Sequence, residues 1–460
     1  MPNRAFIKSA WLAGAAVGAI ALGAVEAQAG GFFIHEQSAY FQGLSFAGVA
    51  AGGPSLSAMF WNPATITQQG PGLSFEGDFT VAWTHSEITP SAAATVTGVN
   101  LLPFGSSGNI GGGPFIPASY LVYGLTDRIS LGLALNAPFA EQTRPSQIWA
   151  GMFYSRQSAV VSLNANPDIA FKVTDWLSVG AGAQIQWFKT RLYSAFPGSG
   201  TGVPDTLSID ADGWDAGFTA GITLTPTPWT TIGAGYRSQI DQKIDGHIFR
   251  PSFLTTVVIP GIGPIPITVP SGFTNFDATI PLPGVATASI RQKVTDTLTL
   301  LGTVEWTNWS RLGTVPVTSN PAGILGVPTT FAFGWRDGWL VSAGAEYQWS
   351  PLWAVRAGIG WEQSPVNDQV RGTRLPDSDR IWLSAGASYK WNEQLAFDFG
   401  YSHIFFANAP INLVPGNPTF DAAGGLLGTF IGSAHTQSDI LSVALRYRMV
   451  PPPPPLVTKG

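Results

Sequence analysis

Apolar and polar residues alternate with a period of two along much of this chain. In Thr297 to Asn308, Leu298, Leu300, Val304 and Trp306 alternate with Thr299, Thr303, Glu305 and Thr307. From Leu352, Trp353, Val355, Ala357, Ile359 and Trp361 alternate with Arg356, Gly358, Gly360 and Glu362. From Arg380, Ile381, Leu383, Ala385, Ala387, Tyr389 and Trp391 alternate with Ser384, Gly386, Ser388 and Lys390. Near the end, Leu441, Val443, Leu445, Tyr447 and Met449 alternate with Ser442, Ala444, Arg446 and Arg448. Each set predicts a strand with one apolar face and one polar or small-residue face. Alternation alone also fits a half-buried strand of an antiparallel sandwich. The aromatics discriminate: Trp353, Trp361, Tyr389, Trp391 and Tyr447 fall near strand ends on the apolar face, where an interfacial girdle belongs when that face meets lipid.

The connections carry the same message. Tight turns read at Thr126-Asp127, Thr174-Asp175, Pro226-Thr227-Pro228, Thr295-Asp296, Ser350-Pro351 and Asn392-Glu393, each joining strands of about 10 to 14 residues, the length tilted spans need. Between these hairpins lie long Gly/Pro-rich stretches at 87–114, 140–155, 194–211, 242–282, 310–337, 364–378 and 407–435. Six tight turns imply twelve strands, and a first strand near 72–86 and a last near 436–449 make fourteen. The expected fold is all-β, a 14-stranded antiparallel transmembrane β-barrel over 71–450 with short turns on one side and long loops on the other. Residues 30–70 show little alternation and are read as an N-terminal hatch, because so many strands enclose a lumen too wide for wall side chains to fill. Pro451 to Gly460 is read as an extended, solvated proline-rich tail.

Composition supports a membrane solvent. Charged residues make up 11% of the 460, against about 25% in soluble domains, yet no apolar run of helical-span length follows residue 30. A closed barrel satisfies every backbone polar group between strands and leaves no edge. Residues 1–29 read as a secretory leader: Arg4 and Lys8 are basic, Ala10 to Val25 is apolar, and Ala27-Gln28-Ala29 is a small-x-small cleavage site, so the mature chain is expected to start at Gly30. Losing Arg4, Lys8 and Glu26 takes the formal charge from -5 to about -6, which excludes a polybasic nucleic-acid binder. With no cysteine, an exported chain has no disulfide framework to rely on.

Gly31-Phe32-Phe33, Glu36-Gln37-Ser38 and Ala47-Gly48-Val49-Ala50-Ala51, ending in Asn62-Pro63-Ala64, resemble the mature N-terminus of the FadL/TodX outer-membrane transporters. Asn166-Pro167-Asp168-Ile169-Ala170, Gly235-Tyr236-Arg237-Ser238, Trp306-Thr307-Asn308-Trp309-Ser310, Ser364-Pro365-Val366 and Leu375-Pro376-Asp377-Ser378-Asp379-Arg380 extend the resemblance over the mature chain. It implies a hatch-closed barrel in the bacterial outer membrane, surrounded by lipid and lipopolysaccharide. Long-chain fatty acids are the substrates in one branch and hydrocarbons in another. It further implies ligand capture near the outer loops, transfer to a tighter internal site, hatch rearrangement, and sideways exit through a kinked third strand. A monomer is favoured and no cofactor is called for. One departure is the C-terminus, where such barrels end on an aromatic residue: here Met449-Val450 leads into the proline tail, and Tyr447 is the nearest aromatic.

The chemistry of the path follows from its substrate. Moving a chain of some fourteen methylenes into water costs on the order of 11 kcal/mol, so the route must be apolar and still not leak ions. By similarity, Phe32 reaches into the high-affinity site, with Phe33 beside it as the second candidate; the alternative is that both rings pack the hatch. A carboxylate in an apolar site calls for a cation, and Lys189 and Arg336 match the family's candidates. Alternation from Leu177 through Ile185 and Trp187 nevertheless points Lys189 outward: either a bulge re-aims it or it lies above the bilayer as a solvated loop residue, and solvation is the alternative for Arg336 too. Asn62, Pro63 and Ala64 form the hatch or gating motif: proline holds Asn62 extended, and a buried Asn can bond hatch to wall. Gly132 and Pro138 are the candidates for a bend in the third strand, Pro138 alternatively starting the next loop.

Three other classes compete. A barrel enzyme needs a nucleophile and base in the lumen, but the histidines at 35, 85, 247, 403 and 435 lie in no catalytic motif, and G-x-S-x-G, P-loop and H-E-x-x-H patterns are absent. A general porin predicts charge-rich luminal strands without a hatch. A loop-dominated adhesin or surface-structural barrel is the remaining class.

Overall fold

The computed structural model describes residues 30–196, 204–259, 263–319 and 330–449. The leader 1–29 with its cleavage site and the tail 451–460 lie outside the described residues.

Fourteen antiparallel wall strands close on themselves. They are β1 (Gly72–Ala94), β2 (Phe115–Gly124), β3 (Ile129–Asn136, continued by Ala140–Thr143), β4 (Gln157–Lys172), β5 (Leu177–Ala195) and β6 (Thr206–Thr227). Next come β7 (Thr230–Arg237, continued by Ile240–Arg250), β8 (Gly272–Leu282, continued by Val285–Lys293), β9 (Leu298–Thr307) and β10 (Gly338–Gln348). The circuit ends with β11 (Trp353–Gln363), β12 (Arg380–Lys390), β13 (Leu395–Phe406) and β14 (Thr429–Met449). Each pairs with its neighbour in sequence, and β14 returns to β1 from Leu73↔Met449 to Ala94↔Thr429. All six tight turns lie where the sequence places them. Among the described residues, closure of β14 onto β1 leaves no terminal strand of the wall unpaired, which answers how a chain poor in charge and free of cysteine is held together.

Within the belt the apolar face points out. Leu441 and Val443 on β14, Ile359 and Trp361 on β11, and Ile381 and Leu383 on β12 are exposed, while their odd-even partners Ser442, Glu362 and Trp382 are buried in the lumen. Trp353 and Tyr389 stack across strands at 4.6 Å between ring centres, part of one interfacial girdle.

β2 and β9 to β13 have the expected length, at 10 to 12 residues, but other strands run much longer than 10 to 14: β1 has 23, β6 has 22 and β14 has 21. Parts of the stretches read as loops, notably 194–211 and 242–282, are upper strand segments. The reason is a reversal of polarity partway up the wall. On β6, Phe218 and Trp214 face out, whereas above them Leu207 and Ile209 face in and Asp210 and Asp212 face out. On β5 the switch falls between Trp187 and Phe188. The upper wall therefore stands in water and has its apolar side toward the lumen.

Residues 30–70 fill the lower lumen as a compact plug containing helix α1 (Ala39–Gln42) and three short 3-10 turns, almost all of it buried. Ser38 caps α1 through Phe41 N, and Asn62 caps the turn Pro63–Gln69 through Ala64 N. Small wall residues let the hatch approach closely. A Cβ at Gly221 would collide with Asn62, and one at Gly235 would collide with the Trp61 carbonyl.

Candidate functional site

Above the hatch, the inward apolar faces of the upper strands enclose a cavity of about 470 Å³, within the range of small-molecule sites. Phe188 of β5, Ile209 of β6, Ile244 of β7 and Phe276 of β8 line its wall, and Phe32 and Trp335 line its lower end. Its outer end is bounded by the segment after β13, where helix α2 (Pro418–Ala422) leads into Leu426 and Leu427. Leu426 is exposed, which continues the apolar lining to the surface.

Phe32 sits in an aromatic cluster, with ring centres 4.7 Å from Trp309, 5.7 Å from Trp335 and 5.9 Å from Phe139. Phe33 lies one layer deeper, against Phe60, Phe139 and His35, and does not line the cavity. The two neighbouring rings thus part, one to the cavity and one to the hatch core.

Lys189 faces outward between Trp187 and Arg191, and the same strand turns Phe188 and Thr190 into the cavity. No bulge intervenes, since β5 pairs with β6 in unbroken register from Leu177 to Ala195. Arg336 follows Trp335 but turns away from the cavity to donate to the Ser364 carbonyl at 3.0 Å and to Asp379 at 3.2 Å. Among the described residues, the cation on the cavity lining is Arg374, with Glu141 also on the lining. Arg374 Nη1 donates to the carbonyls of Gln157 and Tyr193 and to Ser158 Oγ, at 3.2, 3.4 and 3.3 Å. Thr143 Oγ1 ties down its carbonyl at 2.8 Å. Burial pulls this guanidinium down to about 10, partly offset by Glu141, so it stays charged at neutral pH. No local pattern marks it: it reaches the cavity by the tertiary course of the 364–378 segment.

Asn62 is fully buried and joins hatch to wall through Nδ2, which donates to Ala50 O at 2.7 Å, Ile222 O at 2.9 Å and Thr223 Oγ1 at 3.3 Å. Pro63 and Ala64 begin the turn that Asn62 caps, and they pack against Gly180 of β5. Replacing Asn62 with alanine removes its bonds to Ala50 O, Ile222 O and Thr223 Oγ1 and is expected to cost about 1–3 kcal/mol. Ion conductance of the purified protein in planar bilayers should rise; unchanged conductance would assign the hatch seat to other contacts.

The third strand is interrupted, though not at Gly132. Gly132 pairs regularly with Val122 and Asp168, and its missing side chain makes room for Met59 of the hatch. The break spans residues 137–139 around Pro138. There the ladder to β2 stops at Ser119↔Leu135, and the chain pairs with the hatch instead: Ile34 N donates to Pro138 O and Ala140 N to Phe32 O. Residues 115–118 of β2 have no ladder partner on β3. The resulting gap is filled by Ile34, Ile116 and Ala140, which pack together fully buried.

Charged luminal residues, which the alternation shows only as polar positions, grip the hatch. Asp78 accepts from Ala39 N at 2.7 Å, Glu76 from Ser55 Oγ and Leu56 N, and Glu305 contacts His35 at 2.7 Å. Arg237 donates to Phe60 O at 2.9 Å and lies over the Phe60 ring.

A closed barrel with an apolar outer belt, a luminal plug and an apolar cavity above it defines an outer-membrane channel for hydrophobic compounds. Residues 20–449 match the outer membrane protein transport protein family, OMPP1/FadL/TodX. The chain belongs to that family, whose members are transporter channels. The long-chain fatty acid transport protein of Escherichia coli O6:H1 is 23% identical over 416 residues, 84% of this chain and 89% of the relative. The crystal structure of a FadL homologue from Pseudomonas aeruginosa has a TM-score of 0.79 at 22% identity, covering 91% of this chain and 99% of that one. The toluene transporter TbuX of Ralstonia pickettii has a TM-score of 0.62 at 19% identity, covering 92% and 99%.

Proposed function

We propose that this channel takes up long-chain fatty acids by passive diffusion through the cavity, hatch rearrangement and lateral exit. The observation that carries the reading is one charged guanidinium, Arg374, on the lining of an otherwise largely apolar cavity. An alkyl chain gains about 0.8 kcal/mol per buried methylene, while a carboxylate needs a cation to leave water. The E. coli relative carries the name of a long-chain fatty acid transporter, which favours the same class. The chain enters past Leu426 and Leu427, the head group meets Arg374, and the tail lies toward Phe32. Displacing Phe32 pulls on the ladder it shares with Ala140, and the hatch segment then leaves the gap between β2 and β3.

A specific observation favours hydrocarbons as a second reading: Arg374 is already engaged by three oxygens and adjoins Glu141. A neutral ligand would need nothing from it. The test is binding of a fluorescent long-chain fatty acid to refolded protein, with toluene as competitor. Arg374→Gln is expected to weaken fatty-acid binding about ten- to hundredfold, the worth of hydrogen bonds to a charged group, and to leave toluene binding unchanged. Indifference of both ligands to Arg374→Gln, with toluene displacing the probe, moves the assignment to hydrocarbons.

A further inference from the structure

Beneath Phe32 lies a small polar pocket unrelated to the apolar cavity, lined in part by Gly30, His35, Glu305 and Glu362. His35 Nε2 contacts Glu305 at 2.7 Å, while its Nδ1 is buried without a hydrogen-bond partner, 3.9 Å from Glu362 Oε1. Glu36 is buried next door with Oε2 unpartnered. Asp377 accepts from Gly31 N at 3.0 Å and from Ser364 Oγ at 2.6 Å, and pairs with Arg380. Glu362 also accepts from Trp382 Nε1 at 2.9 Å and lies 3.7 Å from Arg380. Four carboxylates, of Glu36, Glu305, Glu362 and Asp377, thus gather around two cationic groups, Arg380 and His35. Buried charge is tolerated when it is paired, and in this carboxylate-rich cluster burial pushes the Glu36 carboxyl up to about 7, so an added cation or a proton is favoured there.

Gly30 is buried at its edge. A Cβ there would collide with Glu362 Oε1, so that carboxylate lies against the Gly30 α-carbon that carries the nitrogen, and both residues line the same pocket. As an internal amide this nitrogen is neutral. Ala27-Gln28-Ala29 immediately precedes it. We propose that cleavage before Gly30 creates an α-ammonium that docks on Glu362, with Glu305 behind it, and that this ion pair positions Phe32 at the cavity floor. The leader peptidase of the envelope hydrolyses the Ala29–Gly30 amide with one water. The new carboxylate departs with the leader, and the Gly30 amine takes up a proton. Its ordinary pKa is about 7.7–8.0, and the surrounding carboxylates favour the charged form. Glu362 and Glu305 are then positioning residues, acting on ligand and gate through the chain end, and processing completes the closed hatch. This goes beyond the substrate reading and does not depend on it.

The first measurement is the intact mass of protein extracted from outer membranes, expected to equal residues 30–460. Chain 30–460 is then refolded beside a chain retaining Gln28 and Ala29, which moves the ammonium about 7 Å along the backbone. Both are made with Glu362 and with Glu362→Gln. Ion conductance in bilayers reads hatch closure without any substrate, and the heat-modifiable gel mobility of each barrel checks folding. The extension and Glu362→Gln are each expected to raise conductance about tenfold, and the two together no further, because both remove one interaction. A mature mass starting elsewhere, an extended chain as tight as the processed one, or additive effects would overturn the proposal.

Discussion

Replacing Asp398 with alanine is expected to unseat the hatch while leaving the barrel closed. Asp398 is fully buried on the luminal face of β13 and holds two guanidiniums at once: Arg446 at 2.5 and 3.1 Å, and Arg356 at 3.3 Å. Both arginines reach onward to the plug. Arg356 donates to Tyr40 O at 3.3 Å and lies 4.0 Å above the Tyr40 ring, and Arg446 donates to Pro54 O at 3.0 Å. Removing the shared carboxylate leaves the buried Arg356 and the half-buried Arg446 opposed, with Glu346 3.9 Å from Arg356 as the remaining counter-charge; losing one partner of a fully buried pair costs about 3–5 kcal/mol, which sets the upper bound here. The wall is held by strand ladders that do not involve this group, so the cost falls on the hatch. Conductance should rise and residues 30–70 should become accessible to protease, while the folded barrel keeps its gel mobility. Asp398→Asn keeps the shape and part of the hydrogen bonding and should fall between. Arg356→Met added to Asp398→Ala removes one of the stranded charges and should recover part of the loss, the coupling expected for residues of one network. A silent Asp398→Ala would mean that the remaining contacts, such as Tyr40 with Glu346 and Arg291, seat the hatch alone.

How much of this was legible in the sequence depended on where each residue stands relative to the lipid. The lower halves of the strands were readable because lipid demands an apolar outer face, so Trp353, Val355 and Ile359 advertise their side. The turns were readable because short hairpins are built from Thr-Asp, Pro and Asn. The upper halves were not, because at Trp187/Phe188 and near Asp212 the apolar positions change parity. A reader tracking one face sees the pattern dissolve into loop. The same reversal explains the cavity: its lining is the apolar half of strands that have left the membrane. Lys189 obeys its own alternation and faces out. Arg374 lies on a connection whose course is set by distant partners such as Thr143 and Ser158, so no local rule reveals it. Glu76, Asp78, Glu305 and Asp398 read only as polar strand positions, since what makes them grip the hatch is the plug on the other side of the lumen.

Tying Ile34 to Ile116 should stop transport while leaving ligand binding intact. The gap between β2 and β3 exists because residues 137–139 leave the wall and pair with Phe32 to Ile34 of the hatch. What closes it is thin: Ile34 from the hatch, Ile116 from β2 and Ala140 from the continued β3 form a three-residue apolar cluster. A ligand leaving sideways must displace that cluster, and Ile34 is the member free of the wall's covalent frame. The chain has no cysteine, so Ile34→Cys with Ile116→Cys introduces a single bridge between side chains of one packed cluster. Oxidised, the bridge pins the hatch segment in the gap, and the open population falls to nothing because no ligand affinity can shift a covalently closed state. Uptake of a labelled long-chain fatty acid by cells should drop to the level of cells lacking the channel, and a reductant should restore it. Binding to the purified protein should persist, since Phe32 and the cavity above are untouched. Uptake that continues with the bridge formed would mean that ligand passes down through the hatch, and the gap beside Pro138 would then be only the seat of the plug.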